Sequence, residues 1–109
     1  MGLQHFADNA AGGSQHGAER SGLTPWGAAL IRACEARGIA VDLAHSAPAV
    51  VADALALASK PLLVSHTGAR GACDSPRTLP DALLQAVAAR GVRCIHACVP
   101  RVRVCPPRC

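Results

Sequence analysis

The chain has 109 residues, of which half are apolar, and this length suits one modest domain. Phe6 and Trp26 are its aromatic residues, so small aliphatic side chains are expected to form the core. The formal net charge is +4, but residues 1–90 hold all seven acidic residues and seven of the eleven basic ones. The excess positive charge therefore lies after residue 90, and the charge of residues 1–90 does not indicate an anionic partner.

The N-terminal residues lack a basic stretch followed by an apolar one, which argues against a signal peptide. No apolar run approaches the ~20 residues that cross a bilayer, so no membrane segment is expected. These features favour a cytoplasmic, reducing environment, in which the six cysteines need not form disulfides.

Helical and strand-like segments alternate along the chain after a long glycine-rich loop at residues 7–22. Thr24 and Pro25 supply a capping hydroxyl and a first-turn proline for the first helix, and Gly38 supplies its end. A loop at 67–77 precedes the third helix, where Thr78 and Asp81 resemble a capping box. The predicted elements are helix 24–37, strand 39–45, helix 48–59, strand 61–66, helix 80–90 and strand 92–99. This order predicts βαβ units and a parallel sheet, which is an α/β fold.

Two histidines occupy equivalent places at the ends of successive strands. His45 closes the strand at 39–45, and His66 closes the strand at 61–66. Parallel neighbouring strands would bring both imidazoles to one edge of the sheet, where β/α proteins keep their chemistry. Paired imidazoles suit a transition metal, but each histidine also suits an ordinary polar strand end. The residues alone leave these two interpretations evenly supported.

Several short motifs appear in order between residues 2 and 91. They are GLTPWG at 22–27, GIAVDLAH at 38–45, PLLVSHT at 61–67, AR at 69–70 and PRTLPD at 76–81. With 21 positions between the two histidines, this set resembles the membrane dipeptidase (renal dipeptidase-like) zinc peptidases. The resemblance implies a (β/α)₈ TIM barrel, a binuclear zinc centre and hydrolysis of the peptide bond of dipeptides.

The resemblance also implies roles for individual residues. His45 and His66 are expected to be two ligands of one zinc ion. His5 is expected to act as a catalytic residue that contacts the scissile carbonyl and stabilises the oxyanion. Arg77 is expected to bind the terminal carboxylate of a dipeptide substrate. Without the resemblance, His5 would be interpreted as an ordinary histidine near the N-terminus and Arg77 as a charged surface residue.

Two further side chains in this region also need an interpretation. Asp42 lies three residues before His45 and is a candidate to orient a ligand. His16, in the glycine-rich loop, is expected to be an ordinary surface residue.

The resemblance also implies a glutamate that bridges the two metals and a His-x-Asp motif that binds the other zinc, and neither has a counterpart in this sequence. It contains no His-x-Asp motif, and Glu19 and Glu35 fall in a predicted loop and helix rather than at a strand end. The chain is therefore interpreted as an internal fragment of about three β/α units of the barrel. We expect the missing ligands to precede residue 1 and a late acidic residue to follow residue 109. The isolated chain is accordingly expected to be inactive.

Residues 92–109 form a tail that differs from residues 1–91. It contains four cysteines and His96 among arginines and prolines, the cysteines being Cys94, Cys98, Cys105 and Cys109. One interpretation is a small Cys-rich module that binds zinc and contacts nucleic acid through its arginines. The favoured one is a divergent tail that arose from a frameshift, with no nucleic-acid partner.

Overall fold

Helices pack on short parallel backbone segments in this α/β protein. The computed structural model describes residues 1–72 and 74–90 and the backbone of residues 93–94. Within these ranges the elements are α1 (Pro25–Ala36), α2 (Pro48–Leu57), β1 (Leu63–Val64), β2 (Gly68–Ala69), β3 (Thr78–Leu79), α3 (Asp81–Ala89) and β4 (Arg93–Cys94). The three predicted helices are therefore present, and none of their ends differs from the predicted one by more than two residues.

The sequence signals predicted for both ends of helix α1 are confirmed. The Thr24 hydroxyl accepts a hydrogen bond from the Gly27 amide at 3.0 Å, and Pro25 occupies the first turn. Gly38 follows the helix with a φ of +71°, a left-handed conformation that glycine adopts without steric cost. Ile31 and Cys34 point into the core from this helix.

Helix α3 begins differently, and the predicted capping box is wrong. Its N-cap is Pro80, and no side chain caps it. The Thr78 hydroxyl instead donates to the Ser75 carbonyl at 2.7 Å, and Asp81 accepts from the Gly71 amide at 3.0 Å. Thr78 lies in β3, so its side chain serves the turn before that strand rather than the helix.

The parallel sheet is confirmed in direction but is shorter than predicted. Asp42 bridges Gly2 on one side and Leu63 on the other, both in parallel, and β1 pairs in parallel with β4. The predicted strand 39–45 is thus reduced to paired backbone around Asp42. It ends early because the chain turns at residues 44–45, where His45 has a φ of +66°.

A second pair of parallel strands lies within and directly after the loop predicted at residues 67–77. Gly68 pairs with Thr78 and Ala69 with Leu79, which joins β2 to β3. A Cβ on Gly68 would lie 2.8 Å from Cγ2 of Thr78, so the close approach requires glycine. Two-residue strands are too short for an alternating pattern to indicate them.

The core consists of small aliphatic side chains, as the composition predicts. Helix α2 lies between α1 and α3, and four of the residues of α2 are buried in this core. The largest fully buried apolar side chains are Ile31, Leu43, Leu79, Val41, Val50, Val51 and Val64. This core supports the carboxyl ends of the parallel segments, where the histidines lie.

None of the helices in the described ranges is long and apolar enough to cross a membrane. The cytoplasmic location expected from the sequence stays a prediction. The rest of the predicted strand 92–99, His96 and the tail cysteines after Cys94 lie outside the described residues.

Candidate metal centre and adjoining cavity

His45 and His66 meet directly at the carboxyl ends of neighbouring parallel segments. Their Nε2 atoms are 2.9 Å apart, and their ring centroids are 4.7 Å apart. This is a hydrogen-bonding distance, so one Nε2 carries a hydrogen and the other accepts it. The structure thus brings together the two histidines that the sequence singled out. Among the described residues, no group of three or more His, Cys, Asp or Glu side chains converges on one point.

The glycine-rich loop fixes the backbone of His45. The amide of Gln15 donates to the His45 carbonyl at 2.8 Å. The buried Ser14 hydroxyl lies within hydrogen-bonding distance of the carbonyls of both His5 and His45. These contacts support a left-handed backbone at His45, which costs about 1–2 kcal/mol for a residue with a Cβ. The loop therefore ties His5 to His45.

Asp42 joins the two histidine-bearing segments to each other. Its Oδ1 accepts hydrogen bonds from the amides of Ala44 and Ser65, each at 3.0 Å. Burial acts to raise the pKa of Asp42, but hydrogen bonds from the Ser65 hydroxyl and from these amides outweigh it and lower the pKa. The carboxylate is therefore ionised, and it acts on backbone and on Ser65 rather than on the imidazole of His45.

Ser65 connects this carboxylate to the second histidine. Its hydroxyl oxygen lies 3.0 Å from Nδ1 of His66, while its amide is bound by Asp42. Sequence reasoning did not identify Ser65, because a serine before a histidine carries no distinctive signal.

His5, the residue expected from the resemblance to contact the scissile carbonyl, lies beside the histidine pair. Its ring centroid is 4.9 Å from that of His45, and Phe6 lies 5.3 Å from His45. His16 is exposed, as expected of a surface residue, but its ring centroid is only 6.1 Å from that of His45. Sequence reasoning missed this proximity, since only the folded loop brings His16 to the site.

The clustered cationic groups affect the ionisation of His45. Partial burial lowers the pKa of its imidazole first, and charges on His66, His5, Arg77 and His16 lower it further. His45 consequently favours its neutral form, which is the form that binds metal ions.

A cavity of about 260 Å³ opens next to the two histidines. Its walls come from the glycine-rich loop and from the loop before α3, and its lining residues are Gln15, His45, His66, Thr67, Gly68, Ala69, Ala72, Ser75, Arg77 and Thr78. Arg77 is exposed, and its guanidinium makes no ion pair or hydrogen bond with any described residue. The cavity therefore combines two imidazoles with one cationic group at its wall. His5 stands outside this lining.

Comparison with known proteins places this chain in a family. Residues 1–101 match the family model described as membrane dipeptidase, peptidase family M19. An uncharacterised dipeptidase of Schizosaccharomyces pombe is 37% identical over 79 residues, which are 72% of this chain and 19% of that protein. Dipeptidase 3 of Mus musculus is 32% identical over 71 residues, which are 65% of this chain and 14% of that protein.

Solved structures share the fold of this chain. The probable dipeptidase PvdM of Pseudomonas aeruginosa superposes with a TM-score of 0.77 at 20% identity, over 85% of this chain and 26% of that one. A metallo peptidase of Rhodobacter sphaeroides, solved with a phosphinate mimic of the dipeptide L-Ala-D-Ala, has a TM-score of 0.63 at 29% identity. That match covers 73% of this chain and 23% of the other. The chain thus spans about a fifth of the length of its first curated relative, and it belongs to the membrane dipeptidase family of metallopeptidases.

Proposed function

We propose that residues 1–91 form about three β/α units of a (β/α)₈ barrel and carry part of the zinc centre of a dipeptidase. The proposed reaction is hydrolysis of the peptide bond of a dipeptide. Family membership over residues 1–101 and the parallel pairing on both sides of Asp42 support this assignment. Residues 92–109 are proposed to be a divergent tail, into which the family match extends as far as residue 101.

The convergence of His45 and His66 carries the proposal. Metal–nitrogen bonds of about 2.1 Å at tetrahedral angles separate two ligand nitrogens by about 3.4 Å. The observed Nε2–Nε2 distance of 2.9 Å needs only a small rotation of one ring to reach that value. Both imidazoles therefore fit as two ligands of one zinc ion, and the lowered pKa of His45 favours the neutral ring, the form that binds metal ions. When zinc is bound, it supplies Lewis acidity toward a peptide carbonyl and toward water.

The remaining residues of the site suit a small substrate with a free carboxylate. The cavity of about 260 Å³ lies just below the ~300–1,000 Å³ typical of small-molecule sites. Arg77 offers a planar guanidinium at its wall, which suits bidentate binding of a terminal carboxylate. His5, beside His45, is proposed to donate a hydrogen bond to the oxyanion that develops at the scissile carbonyl. A relative at 29% identity was solved with a dipeptide mimic, which supports a dipeptide as the substrate class.

Zinc binding by the 109-residue chain tests the metal ligands. The four tail cysteines are first replaced by serine, so that the tail contributes no thiolate ligands. Calorimetric titration of this variant is expected to show a zinc site that weakens at least tenfold with His45→Ala or His66→Ala. His16→Ala is the matched control, because the His16 ring centroid lies 6.1 Å from that of His45, farther than that of His66, and it is expected to retain the affinity. Equal affinity in all three histidine variants contradicts the assignment. Loss of stoichiometric zinc with the cysteines alone supports the tail module instead.

A dipeptide hydrolysis assay with added zinc tests the activity of the chain by itself. We expect no turnover of L-Ala-L-Ala, because two imidazoles without further converging ligands do not hold a binuclear centre. Turnover that is abolished by His45→Ala would overturn this expectation while supporting the assignment of the ligand.

A further inference from the structure

We propose that Asp42 is the positioning residue of the histidine pair: it fixes the backbone before both histidines and, through the Ser65 hydroxyl, holds the hydrogen of the His66 imidazole on Nδ1. The inference rests on the proposed metal-binding role of the pair. It adds a residue that acts without touching metal or substrate.

The backbone part of the argument concerns two amides. Asp42 Oδ1 accepts from Ala44 and from Ser65, and each of these residues directly precedes one of the histidines. Main-chain pairing between the two segments ends before this point, where Leu43 donates to the Leu63 carbonyl at 2.8 Å. A single oxygen atom thus continues the connection between the segments and sets the spacing of the histidines.

The side-chain part concerns the single hydrogen of the Ser65 hydroxyl. The Ser65 side chain is also hydrogen-bonded to the Asp42 carboxylate. Because an ionised carboxylate only accepts hydrogen bonds, the hydroxyl gives its hydrogen to Asp42. The hydroxyl oxygen then presents a lone pair to Nδ1 of His66, 3.0 Å away. A neutral imidazole with its hydrogen on Nδ1 has its lone pair on Nε2, the atom that faces His45. Carboxylate and hydroxyl partners commonly orient metal-binding histidines in this way.

The contact between the two rings extends the argument to His45. If Nε2 of His66 accepts the 2.9 Å hydrogen bond, then Nε2 of His45 donates it. The metal-free protein therefore contains two different tautomers, with the hydrogen on Nδ1 in His66 and on Nε2 in His45.

Long-range ¹H–¹⁵N NMR of the metal-free, ¹⁵N-labelled chain at pH 8 measures both tautomers without any metal. The expected spectrum has a protonated Nδ1 in His66 and a protonated Nε2 in His45. Ser65→Ala is expected to abolish the preference in His66, since no group then accepts from Nδ1. A wild-type His66 that carries its hydrogen on Nε2 overturns the inference.

Metal affinity tests the backbone role. Co²⁺ binding, followed by its visible spectrum, is expected to weaken about 10–100-fold in Asp42→Ala, with partial recovery in Asp42→Asn, which keeps an accepting oxygen. The matched control is Asp53→Ala, because Asp53 also accepts a backbone amide, that of Leu23 at 2.8 Å. Equal affinities for the Asp42→Ala and Asp53→Ala variants overturn the positioning role.

The two measurements separate this inference from the proposed function. A wild-type chain that binds no Co²⁺ at the histidines defeats the proposed function, while the tautomers of the metal-free protein still decide the role of Asp42. If Asp42→Ala does not fold, Ser65→Ala keeps the backbone bonds of Asp42, and its NMR spectrum still decides whether the Ser65 hydroxyl holds the hydrogen of His66 on Nδ1.

Discussion

At both ends of the parallel segments, one carboxylate accepts hydrogen bonds from two backbone amides, but the two ends differ in what surrounds it. At the carboxyl end, Asp42 accepts the amides of Ala44 and Ser65. At the amino end, Glu35 of α1 accepts the amides of Ser59 and Lys60 at 2.9 and 2.8 Å. In both places one carboxylate bound to two backbone amides links separate parts of the chain.

The residues after the bound amides distinguish the two ends. Ala44 and Ser65 are each followed by a histidine, whereas Lys60 is followed by Pro61 and the entry to β1. A carboxylate bound to backbone amides is therefore no indication of a site by itself. Within the described part of the chain, only the carboxyl end adds imidazoles and an unpaired guanidinium at a cavity wall.

Substitution of one arginine at each end is expected to give the largest difference between the two ends, in the affinity for a dipeptide mimic. Arg77 lines the cavity beside the histidines, and Arg90 lines another at the amino end, where it donates to the Ala58 carbonyl at 3.2 Å. Arg77→Ala is expected to weaken binding of a phosphinate dipeptide mimic about 10–100-fold, since a hydrogen bond to a charged group contributes ~1.5–3 kcal/mol. NMR titration of the chain measures the affinity. Arg90→Ala is the matched control, and an equal loss in both variants would contradict a carboxylate-binding role for Arg77.

Removing Glu35 should affect stability and leave the metal site unchanged. Glu35→Ala loses the bonds to Ser59 and Lys60 and is expected to lower the free energy of unfolding by about 1–2 kcal/mol. Chemical denaturation measures this loss, and Co²⁺ titration of the same variant is expected to give the wild-type affinity. A weakened metal site in Glu35→Ala would show that the two ends are coupled, which contradicts their separate roles.

A fall in pH should affect the carboxyl end first. The pKa of His45 is lowered from its ordinary value of 6.5, first by burial and then by neighbouring charges. The unfolded chain therefore takes up a proton before the folded one does, and stability decreases as the pH falls below 6.5. Glu35 and Asp42 also have lowered pKa values, from 4.5 and 3.8. Their contributions are present above those values and are lost as the pH falls through the lower folded-state values.

Denaturation curves between pH 8 and pH 3 separate these two windows. His45→Ala is expected to remove the pH dependence just below 6.5, and Glu35→Gln to reduce only the acid branch. A stability that stays constant from pH 7 to 5 in the wild-type chain would contradict the lowered pKa of His45.

Local patterns in the sequence predicted the helices and the histidine pair. The Thr24 cap and the Gly38 stop define α1 through contacts within a few residues, and such contacts are readable from a single segment. His45 and His66 follow apolar runs that share one sheet edge, so their proximity could also be predicted. The pair β2 and β3 could not, because each strand has two residues and no period.

Long-range contacts account for the rest of what the sequence did not reveal. The bond from Ser65 to Asp42 spans 23 positions, and the Ser14 contact with His45 spans 31. His16 approaches His45 only because the glycine-rich loop folds back over it. The sequence therefore predicted which residues meet at the site better than it predicted what supports them.

The left-handed backbone at His45 links function to the energy of the native state. Its φ of +66° is a conformation in which glycine would be the less strained residue. The chain thus places a residue with a Cβ in a backbone conformation that favours glycine. Under the proposed metal-binding role, the strain at His45 is a loss of stability that accompanies an imidazole at the site, which is the expected trade-off between stability and activity.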